Sequence, residues 1–113
     1  MFNSEQKLKI LAVGAHGDDI ELACGGTLAK ALEHNHEVEM VLVTGNSSSD
    51  HNDVTIRADG IAEQEAKAAA KVLGVSKLHI LGYQDTCVPY SAELVAKLDE
   101  IIGELNPDII FTH

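Results

Sequence analysis

Apolar residues form four short runs along the chain, each about as long as a β-strand. The runs contain few alternating polar positions, which is typical of strands whose two faces are both covered. We therefore predict four strands, at residues 9–15, 38–44, 76–81 and 108–113.

Between these runs, apolar residues recur at the spacing of amphipathic helices. The pattern predicts helices at residues 20–33, 56–73 and 91–105. The last is the clearest, because Ser91 can cap its start and Asn106-Pro107 can end it. Its apolar face comprises Leu94, Val95, Leu98, Ile101, Ile102 and Leu105.

The regular alternation of strands and helices predicts an α/β fold. Short connections imply a mainly parallel sheet with right-handed crossovers and helices on both faces, a three-layer α/β/α arrangement. We expect the strand order 3-2-1-4, in which the first and fourth strands are neighbours at the switch point. Ligands of such sheets bind beyond the carboxyl ends of the strands, so we expect the functional site at that edge.

Length and composition indicate one small soluble domain, residues 1–113. A net charge of −10 opposes binding to phosphate backbones, so we exclude nucleic acid as a partner. No apolar run approaches the roughly 18 residues that span a membrane, and the N-terminus lacks the pattern of a secretory signal. We expect a cytoplasmic protein in which Cys24 and Cys87 are reduced.

The first predicted strand ends in a cluster of ligand-type side chains, His16, Asp18, Asp19 and Glu21. A histidine nitrogen and a carboxylate oxygen suit a borderline cation such as zinc, and the other aspartate would remain free. This arrangement indicates metal-assisted hydrolysis. The alternative is that Asp18 or Asp19 caps the helix that follows. One cap does not require four polar side chains, so we favour the metal site.

Two residues from distant parts of the sequence are expected at the same edge. Asp85 follows the third strand and His113 ends the fourth, so the predicted strand order brings both towards His16. The polar segment 45–55 also starts at this edge and is longer than the usual connection. It forms either a wall or lid of the site or a surface loop without a role.

Four other histidines are not predicted as ligands. His51 lies in the polar segment 45–55 and has no partner at a defined spacing. His34 and His36 are expected in a surface turn at the opposite end of the sheet. His79 is expected to be a packed core or edge residue of the third strand.

Several segments resemble the LmbE-like, or PIG-L, de-N-acetylases, and the similarity extends over nearly the whole chain. Ala15-His16-Gly17-Asp18-Asp19-Ile20-Glu21 resembles the family signature Ala-His-Pro-Asp-Asp-x-Glu. The other similar segments are Gly25-Gly26-Thr27-Leu28, Val43-Thr44, Glu65-Ala66, Leu73-Gly74-Val75, Leu81-Gly82-Tyr83-Gln84-Asp85 and Pro107-Asp108-Ile109-Ile110-Phe111-Thr112-His113. Members of the family are zinc-dependent hydrolases with a Rossmann-like fold that remove N-acetyl groups from glucosamine-containing substrates.

The resemblance implies a role for each matching residue. His16 and Asp19 would bind zinc, or another divalent metal, and Asp18 would be the general base. Glu21 would be a supporting acid. Two further residues, Asp85 and Arg57, would bind the substrate.

Two departures from the family pattern affect the expected site. Gly17 replaces the motif proline, which loosens the backbone between ligand and base. The family's third zinc ligand lies in a His-x-x-His type of segment beyond the fourth strand, near where this sequence reaches His113. Either the chain is the N-terminal part of a larger de-N-acetylase domain, which we favour, or His113 completes a reduced site.

The motif and the family resemblance together predict a zinc-dependent N-deacetylase that acts on a small N-acetylated sugar substrate. Zinc would lower the pKa of a bound water, and Asp18 would take its proton before attack on the acetamide carbonyl. One alternative is a non-enzymatic, receiver-like module that holds magnesium through Asp18 and Asp19, and another is binding without turnover. We also expect this chain alone to be catalytically incomplete, and to form homo-oligomers through exposed Ile109, Ile110 and Phe111.

Overall fold

A computed structural model describes residues 5–45, 48–49, 55–57 and 59–113 of the chain. Strands and helices alternate along it, as the hydrophobic pattern predicts. In order they are β1 (Lys9–Gly14), α1 (Asp19–Glu33), β2 (Glu37–Thr44), β3 (Ser48–Ser49), β4 (Thr55–Arg57), α2 (Asp59–Leu73), β5 (Lys77–Tyr83), α3 (Ala92–Leu105) and β6 (Ile109–Phe111).

The main sheet has four parallel strands in the order β5-β2-β1-β6. β1 pairs with β2 on one side and with the short strand β6 on the other. Numbered by the four predicted strands, this order is 3-2-1-4, so the predicted topology is confirmed. The carboxyl ends of β1 and β6 therefore lie side by side.

The segment between β2 and α2 differs from the prediction. β3 and β4 pair as a short antiparallel ladder, with Ser48 opposite Arg57. The predicted start of the second helix at residue 56 is wrong, because residues 55–57 are extended and α2 begins at Asp59. Thr55 and Ile56 are β-branched and favour a strand. The remainder of the polar segment, 46–47 and 50–54, lies outside the described residues.

Alternating side chains of the central strands pack on opposite faces of the sheet. Ile10, Ala12 and Val38 belong to the cluster shared with α1 and α2, whereas Leu11 and Val41 pack with α3. Helices thus cover both faces, which confirms the three-layer arrangement and explains the continuous apolar character of the strands.

The edge strand β6 is less exposed than we predicted. Ile109 and Phe111 pack against the first cluster, so the expectation that both are exposed is wrong. Their side chains point to the covered face, and only Ile110 between them is exposed, by 44%.

Helix ends and turns follow local side-chain chemistry. Ser91 caps α3, because its Oγ accepts the N–H of Leu94 at 3.2 Å. The helix ends at Asn106, which adopts a left-handed conformation with φ of 52°. None of the helices in the described ranges combines the length and the apolar content that crossing a membrane requires.

Two of the histidines have structural contacts away from the sheet's carboxyl edge. The prediction of a surface turn is wrong for His36, which is buried and accepts the N–H of Leu8 through Nδ1 at 3.0 Å. It thereby ties the start of β2 to the start of β1. His79 is a packed residue, as predicted, with Nε2 2.7 Å from Oε1 of Glu39 on the adjacent strand.

Candidate active site

The site begins where β1 ends at Gly14 and the chain turns into α1. A Cβ atom on Gly14 would lie 3.0 Å from Cγ1 of Ile20 and 3.3 Å from Cβ of Asp19. Glycine is therefore needed for this close approach of helix and strand. The approach sets the connecting residues 15–18 directly on the carboxyl edge of the sheet.

Thr44, the last residue of β2, fixes the backbone of this connection. Its N–H and its Oγ1 hydroxyl both donate to the carbonyl oxygen of Ala15, at 3.1 and 2.8 Å. Thr44 is buried, so water competes little for these bonds. The residue that follows Ala15 is His16, whose position is therefore anchored to the adjacent strand.

His16 and Asp19 form one contact group. Oδ2 of Asp19 accepts the backbone N–H of His16 at 2.9 Å and lies 3.6 Å from Nδ1 of its ring. Asp18 occupies the N-cap position of α1, but its side chain makes no capping hydrogen bond and is exposed. Helix capping therefore does not account for the acids of the motif, and the Asp18 carboxylate faces solvent beside His16 and Asp19.

Asp85 reaches this group from the end of β5. An extra residue in β5 shifts its pairing with β2, from Leu42 opposite Ile80 to Thr44 opposite Tyr83. Gly82 lies within this irregularity with φ of +78°, a conformation that favours glycine.

The side chain of Asp85 contacts the His16 ring directly. Its Oδ1 lies 2.7 Å from Nε2 of His16 and also accepts the N–H of Thr86 at 2.9 Å. The hydrogen bond to Asp85 raises the pKa of His16 above its usual value, and the same bond lowers the pKa of Asp85. The carboxylates of Asp19 and Asp18 raise the pKa of His16 further.

His113, beyond the end of β6, reaches the same place from the neighbouring strand. Its Nε2 lies 3.4 Å from Oδ2 of Asp19 and accepts the backbone N–H of Ala15 at 3.2 Å. The sheet therefore brings His16, Asp19, Asp85 and His113 together, as the strand order predicts.

Besides Asp18, two predicted site residues are not part of this contact group. Arg57 belongs to β4, and its side chain lies outside what the structure describes. Glu21 lies in the first turn of α1, where burial raises the pKa of its carboxyl. Its buried Oε2 has no hydrogen-bond partner among the described residues. Both roles implied by the resemblance stay predictions.

A cavity of about 570 Å³ adjoins the group along α1 and β6. Its lining is mostly apolar but includes Asp19 and His113. The apolar part includes Ile20, Leu22, Ala23 and Phe111.

The donor types and two of the separations suit a zinc ion. Ligands about 2.0 to 2.1 Å from a tetrahedral zinc are roughly 3.4 Å apart. Oδ2 of Asp19 is 3.6 Å from Nδ1 of His16 and 3.4 Å from Nε2 of His113. However, no group of three His, Cys, Asp or Glu side chains within the described ranges has metal-binding geometry. The lone pair of His113 Nε2 is engaged by Ala15, so the fit is that of two ligands, His16 and Asp19.

Three contributions to the site were not predicted. The contact of Asp85 with His16 and the bonds of Thr44 to Ala15 depend on how separate loops meet, which no local pattern encodes. The role of Gly14 could have been recognised in the sequence, because a glycine at a strand-to-helix turn permits close packing of the two elements.

Proteins named as deacetylases are similar to this chain in sequence. A diacetylchitobiose deacetylase of Thermococcus kodakarensis is 30% identical over 104 residues, which make up 90% of this chain and 39% of that protein. A protein of Escherichia coli, named uncharacterized deacetylase YaiS, is 35% identical over 112 residues, 95% of this chain and 56% of that protein. The chain thus spans between 39% and 56% of the length of these two relatives.

A solved structure shares the fold as well as the sequence. The N,N′-diacetylchitobiose deacetylase from Pyrococcus horikoshii, in complex with its inhibitor MPG, superposes with a TM-score of 0.80 at 30% identity. The similarity covers 94% of this chain and 40% of that one.

The family relationship covers nearly all of the chain. The model of the PIG-L family, described as GlcNAc-PI de-N-acetylase, matches residues 11–113. That range includes the turn from His16 to Asp19, as well as Asp85 and His113. The chain, as its motifs predict, therefore belongs to the PIG-L family of de-N-acetylases.

Proposed function

We propose that this chain carries the metal-binding part of an N-deacetylase that hydrolyses the acetamide of an N-acetylated amino sugar. The observation that carries the proposal is the convergence of His16 and Asp19 at the tip of β1, with Asp85 against the same ring. Relatives named as deacetylases over matching sequence support this reaction class. Because the chain spans only part of the length of these relatives, we propose their type of substrate for this chain only as a hypothesis.

The proposed metal is zinc, with another divalent ion as the alternative. His16 and Asp19 would hold it. A third ligand would be His113, once its Nε2 no longer accepts the N–H of Ala15, or a residue outside this group. When bound, the ion would polarise the acetamide carbonyl and make a water molecule more acidic.

Asp18 is the proposed general base. Its carboxylate is exposed, makes no capping bond and neighbours the two proposed ligands in sequence. It would accept the proton of the attacking water and return it to the leaving amine. Asp85 and Arg57 are proposed to orient the sugar.

Binding without turnover is the second candidate. It is favoured by the lack of a third metal ligand in suitable geometry among the described residues. Binding without turnover also agrees with the expectation that this chain alone is catalytically incomplete. The receiver-like alternative is weaker, because Asp85, which would be its phosphate acceptor, is engaged by His16.

Zinc affinity, measured by competition with a chromophoric chelator, tests the ligand assignment. We expect His16→Ala and Asp19→Ala to weaken binding by more than the roughly 10- to 100-fold that loss of an outer partner costs. His34→Ala is the matched control, because His34 lies in the turn before β2, at the opposite end of the sheet.

Acetate release from N-acetylglucosamine conjugates then distinguishes the two candidates. Zinc-dependent release supports the deacetylase. Zinc binding that depends on His16 but gives no acetate, both in this chain and in a full-length version of the protein, supports binding without turnover. Unchanged zinc affinity in both ligand variants would refute the metal assignment.

A further inference from the structure

The His16 ring has two different neighbours, one for each nitrogen atom. Nε2 is 2.7 Å from Oδ1 of Asp85, a short hydrogen-bond distance, whereas Nδ1 faces Oδ2 of Asp19 at 3.6 Å. The first distance leaves no room for an ion between its atoms, and the second resembles the spacing of two ligands on one metal. The ring therefore has a protein side, Nε2, and a candidate metal side, Nδ1.

We propose that Asp85 is a positioning residue for metal binding, which fixes the orientation and the tautomer of His16 so that Nδ1 is the ligand atom. This inference rests on the proposed function. A carboxylate that accepts Nε2–H leaves the lone pair on Nδ1, which a metal ion requires. Histidine ligands generally donate their other ring N–H to such a group. Asp85 therefore has a role apart from contact with the sugar.

The loop that carries Asp85 is itself held in place. The N–H of Thr86 donates to Oδ1 of Asp85, and the N–H of Cys87 donates to the carbonyl of Gln84 at 3.1 Å. Thr86 adopts φ of 64°, which is unusual for a β-branched residue and marks a tightly constrained turn. This turn therefore supports the position in which Oδ1 of Asp85 meets Nε2 of His16.

The same carboxylate remains compatible with a substrate contact. Both of the contacts above use Oδ1, so Oδ2 is the oxygen that a sugar hydroxyl would reach. A positioning role affects zinc affinity in the absence of substrate, whereas a sugar contact affects only the KM. The two roles can therefore be separated by experiment.

Zinc affinity of Asp85 variants, measured without substrate, is the primary test. We expect Asp85→Ala to weaken zinc binding by roughly 10- to 100-fold, the usual effect of removing such a partner. Asp85→Asn keeps an acceptor oxygen and should weaken binding less. Asp108→Asn is the matched control, because the Asp108 carboxylate also binds a residue that is distant in sequence. It accepts the backbone N–H of Lys9 at 2.8 Å, at the other end of the sheet.

The tautomer of His16 gives a second readout, independent of activity. In zinc-loaded protein, long-range ¹⁵N–¹H spectra should show the proton of His16 on Nε2. In zinc-loaded Asp85→Ala we expect a mixture, with the His16 proton on Nε2 in some molecules and on Nδ1 in others. Circular dichroism of each variant verifies that the fold is retained.

The outcomes separate this inference from the proposed function. If zinc affinity depends on His16 but is the same within twofold in Asp85→Ala, with an unchanged tautomer, the positioning role is refuted and the metal site stands. If only the KM for the sugar rises, Asp85 contacts substrate alone and the inference is again refuted. If zinc affinity of the parent chain does not depend on His16, the proposed function itself fails.

Discussion

A single oxygen atom, Oδ2 of Asp19, lies within 3.6 Å of three nitrogen atoms from His16 and His113. One of these is a backbone N–H that donates to it, and the other two are ring nitrogens. Asparagine at position 19 would place there either a neutral amide oxygen or an NH₂ group, and the NH₂ group cannot accept a hydrogen bond or bind a metal ion. The two aspartates of the motif are therefore expected to respond differently to the same substitution.

The first prediction compares Asp18→Asn with Asp19→Asn. In a full-length, active version of the protein, we expect Asp18→Asn to retain zinc affinity within twofold and to lower kcat for deacetylation by roughly 10²- to 10⁴-fold, because the amide cannot accept the proton. Asp19→Asn should weaken zinc binding instead. Zinc titration and acetate release on the same preparations check both statements. Loss of zinc from Asp18→Asn would make Asp18 a ligand rather than the base.

The second prediction concerns pH and the His16–Asp85 pair in metal-free protein. The raised pKa of His16 adds stability below pH 6.5 that disappears as pH rises through the folded value. The lowered pKa of Asp85 adds stability above pH 3.8 that disappears as pH falls through its folded value. The contribution should therefore be largest between these two values.

The contribution of the His16–Asp85 pair to the free energy of unfolding is small, because the two side chains are 41% and 38% exposed. We expect at most about 1 kcal/mol. The free energy of unfolding of the parent chain and of Asp85→Asn, measured across this range and above it, checks the prediction. A difference between the two proteins that does not change with pH would contradict it.

At the scale of single elements, the end of β5 directs Asp85 towards the site. The extra residue in β5 and the left-handed conformation of Gly82 change the course of the strand just before Tyr83. An L-residue in this conformation costs about 1 to 2 kcal/mol. The shape of this strand end thus depends on one glycine.

The third prediction is that Gly82→Ala lowers the free energy of unfolding by about 1 to 2 kcal/mol and also weakens zinc binding. Gly103→Ala is the control, since Gly103 lies inside α3 with no atom within 4 Å of an added Cβ. Alanine there should raise stability by about 0.5 to 1 kcal/mol and leave zinc binding unchanged. Equal effects of both substitutions would contradict the proposed role of Gly82.

The elements that were predicted best are those with a local physical signal. The end of α3 follows from Asn106-Pro107, and the central strands follow from apolar runs that both faces of the sheet require. β3 and β4 were missed because a polar segment without periodicity gives no such signal. The start of α2 was placed too early for the same reason.

The site was predicted in outline but not in its contacts. The strand order placed His16, Asp85 and His113 at one edge, since parallel strands end on the same side. Which ring nitrogen of His16 meets which carboxylate depends on the course of two loops in space. His36 was assigned to the surface for a similar reason, because its partner, the N–H of Leu8, is 28 residues away.

For the whole molecule, apolar surface is concentrated at the β6 edge of the sheet. Leu22, in the wall of the cavity along α1, is 81% exposed, and Ile110 of β6 is 44% exposed. β6 is also the end strand of the described sheet, so it presents backbone groups for further pairing. This edge is the surface through which we expect chains to associate.

The fourth prediction is that the isolated chain self-associates and that the pair of substitutions Leu22→Lys and Ile110→Lys reduces association, because charge opposes burial of this edge. Sedimentation velocity over a range of concentrations measures it. Val72→Lys is the control, because Val72 is 88% exposed on α2, away from this edge. A monomeric parent chain, or an equal effect of Val72→Lys, would contradict the prediction.

The distances along the sequence between the contacting residues have a kinetic consequence. His16 and Asp19 are three residues apart, whereas Asp85 is 69 residues from His16 and His113 is 98 residues from Ala15. Closing such long loops slows folding, so the local pair should form early and its distant partners late. If an ion binds tightly only after Asp85 contacts His16, it stabilises the chain with the completed sheet and not partly folded chains. In a cell, metal capture would then mark the end of folding rather than its beginning.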